Sequence, residues 1–241
     1  MIPESAPLYN RFPWTYEDAS ILSVTFNGDY DALREWVPEP LEITPDATGE
    51  VWVSDAPVVG GGGGGREFLI AAHVSYEGTD GIMELINFVE NDSQLASGRE
   101  IAGMAKKMAE SVEIENHGDQ ILGKAPRSGV EIGTAGVALD EEGDEGTVAE
   151  VEAGMGAPIY NVKKIPSTEP NEYDTYNITE TRMKGDVHRV ISGRGFAEFQ
   201  PSAVDPIYKL DPTPVEGAYV ELDNVLPKPE VVVEGLTPNE V

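Results

Sequence analysis

Apolar and polar positions along this chain recur mostly with a period of two, in short runs separated by glycine, proline and acidic residues, the spacing of half-buried strands. Residues 20–26 are β-branched and apolar, and Val51-Trp52-Val53 repeats the theme. Residues 68–76 and 81–89 form two longer runs, and the glycine and acids between them, residues 77–81, predict a β-hairpin. Short strands are expected at 111–115 and 119–123. Runs at 129–139 and 147–153 flank an acidic stretch, 140–146, which reads as a solvated hairpin tip because its spacing is wrong for a calcium loop. Residues 175–185 and 187–199 read as long strands, with Gly193 and Gly195 marking bulges or a close backbone approach.

Helical signals are few. Asp29 opens a short helix over 31–36, which Pro38 and Pro40 end by removing donors and restricting the residues before them. Residues 1–14 read as an extended arm, and the proline- and glutamate-rich stretch 227–241 as a flexible tail. The six glycines at 60–65 lack a following Lys-Ser/Thr and a helix start, so a flexible loop at a strand end is expected rather than a phosphate cradle. The sum is one β-dominated α+β domain over 1–241, a curved antiparallel sheet or barrel with a few short helices.

Composition narrows the function. With 16 basic and 44 acidic residues the formal net charge is −28, and the acids are spread through loops and strand edges. Binding to nucleic acid or to an anionic membrane needs a basic surface and is not expected. A carboxylate-rich surface suits high salt, where counterions screen self-repulsion, and implies a halophile that accumulates salt in its cytoplasm. There is no cysteine, which excludes disulfides, thiolate nucleophiles and cysteine-bound zinc. The three histidines, His73, His117 and His188, lack metal-ligand spacing, and His73 reads as a core or lining residue. With no basic region followed by an apolar core at the N-terminus, and no apolar run of bilayer length, a soluble cytoplasmic protein is expected.

One stretch stands apart, residues 98–110 (GREIAGMAKKMAE). The chain has eight lysines, and four of them fall in two doublets, Lys106-Lys107 and Lys163-Lys164. A lysine beside a second ammonium, or in a poorly hydrated pocket, gives up its proton near neutral pH, and the free amine can form a Schiff base with a carbonyl. Read as a helix, Ile101, Met104, Ala105, Met108 and Val112 make an apolar stripe that leaves both lysines pointing off it. Periodicity alone therefore predicts a solvated surface pair.

The pattern Gly98-Arg99-Glu100-x-x-Gly103-x-x-Lys106-Lys107, however, resembles the active-site segment of the acetoacetate decarboxylase family. Residues 31–43 (DALREWVPEPLEI) are similar to that family's early segment, and 67–78 (EFLIAAHVSYEG) and 83–97 to its central strands. Residues 160–167 (YNVKKIPS) resemble its later segment, and 192–206 its closing strand and proline-containing turn. The resemblance runs in family order over residues 15–225. It implies that Lys106 is a Schiff-base nucleophile, that Lys107 shapes its surroundings and that Glu67 is a pocket glutamate. Arg99, Glu100 and Met104 fall where the substrate would be bound, with Arg99 and Glu100 also suited to fixing the lysine segment. The reaction implied is loss of carbon dioxide from acetoacetate or a related β-keto acid through an iminium and enamine. No metal, pyridoxal phosphate or thiamine is needed, because the imine is the electron sink. A homo-oligomer acting on a small-molecule keto acid is expected.

Several positions depart from the family. Its decarboxylating members carry an arginine before the first strand and a second glutamate in the following strand. Ala19 and Val53 or Ser54 fall there, and Met104-Ala105 replaces an aromatic followed by proline. Arg11 and Arg66 are the candidates to stand in for the arginine. Relatives with such changes resemble aldolase-dehydratases acting on oxo acids, which leaves another lysine-dependent lyase open. A non-enzymatic small-molecule-binding relative is open as well. The charge reading has a direct check: circular dichroism across a KCl titration should show the native spectrum gained only as salt approaches molar concentrations. An equally folded protein without salt would contradict it.

Overall fold

The computed structural model describes residue 8, residues 12–59 and residues 62–236. β1 (Trp14–Asn27) puts Leu22, Val24 and Phe26 on one face and Ala19 and Ile21 on the other. It leads into α1 (Tyr30–Trp36), where Asp29 accepts from the Ala32 amide at 2.8 Å, as an N-cap should. β2 (Glu42–Ile43), β3 (Thr48–Val59), β4 (Gly62–Tyr76) and β5 (Thr79–Val89) follow, with Glu77 and Gly78 at φ 50° and 77° making the tight turn between the last two. Next come α2 (Asp92–Ser97), a π-helical turn (Gly98–Ala102), β6 (Lys106–Met108), β7 (Glu113–Asn116), β8 (Gln120–Arg127), β9 (Val130–Ala138) and β10 (Glu141–Glu142). The chain ends through α3 (Glu145–Met155), β11 (Pro158–Pro166), β12 (Tyr173–Arg182), β13 (Lys184–Gly193), β14 (Gly195–Phe199), a 3₁₀ turn (Ile207–Leu210), β15 (Thr213–Leu226) and β16 (Glu230–Val233).

Ten strands run in the order β10-β13-β15-β1-β3-β4-β5-β11-β12-β16, with β2 added beside β4 and β6 beside β5. A second sheet, β14-β9-β8-β7, packs on one face of the first. The main core lies between them: Leu22, Val24, Phe26, Val53, Phe68 and Ile70 meet Ile121, Ile132, Ala135 and Phe199. Close approach is bought with small residues, since a Cβ at Gly133 would sit 2.7 Å from the Phe68 ring. The opposite face of the large sheet carries two smaller apolar clusters, and the lysine segment lies on that side.

Strand dominance and the few short helices agree with expectation, but the large sheet is mixed and does not close into a barrel. β5 pairs parallel with β11 along its first half and with β6 along its second. Residues 147–153 lie in α3 rather than in a strand. Asp144 caps that helix by accepting from the Thr147 amide at 2.9 Å, and Val148, Val151 and Met155 recur at helical spacing against the sheet. The glycine run is not wholly a loop: Gly62–Gly65 belong to β4 and pair with β3, while Gly60 and Gly61 lie outside the described residues. Of the expected tail, residues 230–233 form β16 against β12, and 237–241 lie outside the described residues. Most of the expected N-terminal arm lies outside them too, and Trp14 already opens β1. Gly193 does mark a close approach, because a side chain there would collide with the Ala138 carbonyl as the chain crosses between sheets. Among the described residues no helix is long and apolar enough to cross a membrane.

Candidate active site

The lysine segment leaves helical geometry before it reaches the lysines. The π-helical turn stops at Gly103, whose φ of 83° suits glycine, and a Cβ there would lie 2.7 Å from the Lys163 backbone nitrogen. Beyond it the chain extends, and Lys106 pairs with Asn87 as β6 joins the edge of β5. The apolar stripe seen in the sequence is thus not one helical face. Successive strand residues point to opposite sides, which separates the two lysines. Gly98 leaves room for the first of them, since a Cβ would stand 2.6 Å from Lys106 Cδ. Arg99 Nη1 donates to the Lys106 carbonyl at 3.0 Å and holds the strand in place.

Lys106 is only 3 % exposed, and its Nζ lies 2.5 Å from Glu67 Oε1. Glu67 also accepts from Asn87 Nδ2 at 2.8 Å and from Gln94 Nε2 at 3.3 Å. Gln94 reaches it past Gly65, where a Cβ would meet the Gln94 side-chain nitrogen at 2.5 Å. Lys107 turns the other way, with Nζ 2.5 Å from Oδ1 of buried Asp205, whose Oδ2 takes Arg127 Nε at 2.8 Å. Burial works to raise the Asp205 carboxyl, but the bonds from Lys107 and Arg127 outweigh it and hold it below its ordinary 3.8. Lys107 therefore anchors the strand to the far side and spends its charge there.

A second acid stands near Lys106. β5 and β4 shift register between Ile70 and Ala71, and the bulge sends both Leu85 and Ile86 into the main core. Glu84 and Asn87, three residues apart, consequently share the opposite face. Glu84 is 4 % exposed, and its Oε2 has no hydrogen-bond partner among the described residues. Burial raises its carboxyl from 4.5 to about 7, with Glu67 adding to the rise and Lys106 opposing it. Tyr16, on β1, is raised well above 10.0 by burial and by Glu67 and Glu84, so it stays a hydrogen-bond donor.

Lys106, Glu67, Glu84, Gln94 and Tyr16 line a chamber of about 80 Å³ with Asn224 and the apolar Ile21, Trp52, Leu69, Met104 and Ile159. Lys106, Glu67, Gln94 and Tyr16 also line a more polar hollow of about 310 Å³. Of the residues singled out in the sequence, Lys106, Glu67 and Met104 therefore meet at the chamber. Arg99 and Glu100 do not line it, and neither does Lys107; Arg99 acts through the backbone. Ala19 and Ser54 do line it, whereas Val53 belongs to the main core. Arg66 binds Asp55 at 3.0 Å instead of facing the chamber, and Arg11 lies outside the described residues. Among the described residues Lys106 is the one cation in the lining. His73 lines an adjoining hollow of about 600 Å³ that shares Ile21, Trp52 and Ile159 with the chamber, its Nε2 3.6 Å from Glu50. Among the described residues no three acid or histidine side chains gather as a metal site. Glu84, Asn87, Gln94, Tyr16 and Asn224 were missed in the sequence, although an acid and an amide inside the apolar run GIMELINFV were a usable signal.

Comparisons with known proteins point to one family. The family profile described as acetoacetate decarboxylase (ADC) matches residues 3–236. An acetoacetate decarboxylase of Burkholderia cenocepacia (strain HI2424) is 28% identical over 240 residues, covering 98% of this chain and 94% of its own. A solved acetoacetate decarboxylase superposes with a TM-score of 0.90 at 23% identity, covering 98% of this chain and 95% of its own. The enduracididine biosynthesis enzyme MppR, solved in complex with the condensation product of pyruvate and imidazole 4-carboxaldehyde, superposes with a TM-score of 0.74 at 19% identity, over 95% of this chain and 92% of its own.

Glu84 makes stability pH-dependent in a defined direction. Its folded-state value, about 7, lies above the ordinary 4.5, so the folded chain binds this proton more tightly than the unfolded one. The stabilisation is complete below pH 4.5 and is lost as pH rises through 7. Glu84→Gln removes that loss. Urea unfolding should show the variant gaining about 3 kcal/mol relative to the unaltered protein between acid and pH 8. A constant difference across pH would contradict the assignment.

Proposed function

Because this chain belongs to the acetoacetate decarboxylase family, a family of carbon–carbon lyases, we propose that it decarboxylates acetoacetate or a related β-keto acid through a Schiff base on Lys106. The observation that carries this reading is one buried amine held 2.5 Å from a carboxylate at the wall of a small apolar chamber. Lys106 passes a proton to Glu67, and its free amine adds to the ketone carbon. The carbinolamine then expels water, with the Glu67 proton going to the departing hydroxyl. In the resulting iminium the bond to the carboxylate carbon breaks, its electron pair moves toward nitrogen, carbon dioxide leaves and an enamine remains. Protonation at carbon and addition of water release the ketone and return the amine. The apolar walls favour the step in which a carboxylate becomes neutral carbon dioxide.

A second reading has its own support. The family resemblance puts Ala19 near the arginine of decarboxylating relatives and Val53 or Ser54 near their second glutamate; Ala19 and Ser54 line the chamber, and among the described residues a substrate carboxylate meets no cation there other than Lys106. The same iminium serves aldol addition or water elimination on an oxo acid, and MppR was solved with a pyruvate condensation product. Incubation with acetoacetate and borohydride should add mass to the peptide containing Lys106, and carbon dioxide should be released in molar KCl. Lys106→Ala should lose both signals with its circular dichroism unchanged. Turnover retained in that variant would refute the nucleophile; trapping with pyruvate but no carbon dioxide from acetoacetate would favour the second reading.

A further inference from the structure

We propose that Glu84 is the acid that protonates the enamine carbon, a role no position in the family resemblance assigns to it. The proposal rests on the Schiff-base reading of Lys106 given above.

Geometry sets Glu84 apart from Glu67. Glu67 is committed: it holds Lys106 at 2.5 Å and takes Asn87 and Gln94 as well. Glu84 lines the same chamber and is bonded by Asn87 and the Ala105 backbone, but its buried Oε2 has no partner among the described residues. Such an unpaired oxygen is costly to bury unless something supplies its missing bond. A proton satisfies it at rest, and a reacting carbon beside it can receive that proton. Glu84 follows Ile82 on the chamber side of β5, and the bulge at Leu85 and Ile86 brings Asn87 to the same face. Three titratable groups face it: Tyr16 from β1, Glu67 from β4 and Lys106 from β6. One ammonium cannot neutralise two carboxylates, so the site favours one ionised acid and one protonated acid. Glu67 is the carboxylate paired with that ammonium, and burial keeps Glu84 protonated to near neutrality.

The step balances simply. When carbon dioxide leaves, the electron pair of the broken bond lies in the enamine. That pair takes the Glu84 proton, forming a carbon–hydrogen bond and regenerating the iminium, with Glu84 left as a carboxylate. Water adding to the iminium gives its hydroxyl to carbon and its proton to Glu84. Collapse of the carbinolamine then releases the ketone and the Lys106 amine. Ser54 carries no carboxyl, so nothing at that position competes for the task.

Acetone in D2O isolates the step from decarboxylation, since its iminium loses and regains methyl protons through the same enamine. Proton NMR should show the unaltered protein exchanging the methyl protons, and Glu84→Gln exchanging them about 100-fold more slowly or worse. Borohydride trapping of acetone on Lys106 should meanwhile stay within about twofold in that variant, because the glutamine mimics the protonated acid in size and charge. Glu84→Asp should restore part of the exchange, and the limb of the exchange–pH profile near 7 should vanish only in the glutamine variant. Unaltered exchange in Glu84→Gln would overturn the proposal, as would trapped but non-exchanging unaltered protein. Loss of trapping together with exchange in a folded variant would assign Glu84 to the amine instead, and overturn it too. Failure of the unaltered protein to trap any ketone would instead bring down the Schiff-base reading, and Glu84 with it.

Discussion

A lysine ammonium removed from water must be answered by a partner, and in this protein the partner is Glu67 at 2.5 Å. Removing either member of such a pair leaves an uncompensated buried charge, a change that costs about 3–5 kcal/mol in comparable cases. The surrounding architecture is arranged to deliver that pair. Asn87 and Gln94 bond the carboxylate, Gly65 and Gly98 clear space for Gln94 and Lys106, and Arg99 ties down the backbone carrying the amine. On the far side Lys107, Asp205 and Arg127 join the lysine strand to the second sheet. A strand of three residues is thus held from both faces, and the amine's position does not rest on its own short ladder.

The same local chemistry explains why adjacent lysines have unlike fates. Extended geometry sends Lys106 into an apolar chamber and Lys107 toward a buried carboxylate. Charge crowding between neighbours, the reason the doublet attracts notice, is therefore relieved by the fold. The second doublet is divided in a similar way. Lys163 packs on Gly103, and Lys164 lies 4.4 Å and 4.8 Å from the ring centres of Tyr173 and Tyr176.

Much of the fold was legible because strand period, turn residues and Asp29 as a cap are local signals. Residues 147–153 misled because small and β-branched residues fit either a strand or a helix, and Asp144 three positions earlier decided it. The mixed sheet was not legible, since the parallel contacts of β5 with β6 and β11 join distant segments. At the site, family resemblance located Lys106 and Glu67, whereas helical periodicity sent the lysines to solvent. It failed because Gly103 breaks the helix, and a glycine's conformation is set by the Lys163 backbone pressed against it. Glu84 was passed over because the run around it is apolar on both faces, and its meeting with Asn87 three positions on depends on the bulge at Leu85 and Ile86.

The account stands on Lys106 bonding a carbonyl carbon within the chamber that Glu67 and Glu84 line. A crystal structure of the protein reduced with borohydride in the presence of acetoacetate tests it most directly. The account predicts continuous density from Lys106 Nζ to a carbon skeleton lying against Glu84, with the contact to Glu67 rearranged. Density growing from Lys107 or Lys163 instead, or an unmodified Lys106 still paired with Glu67 in protein that has turned substrate over, would contradict it.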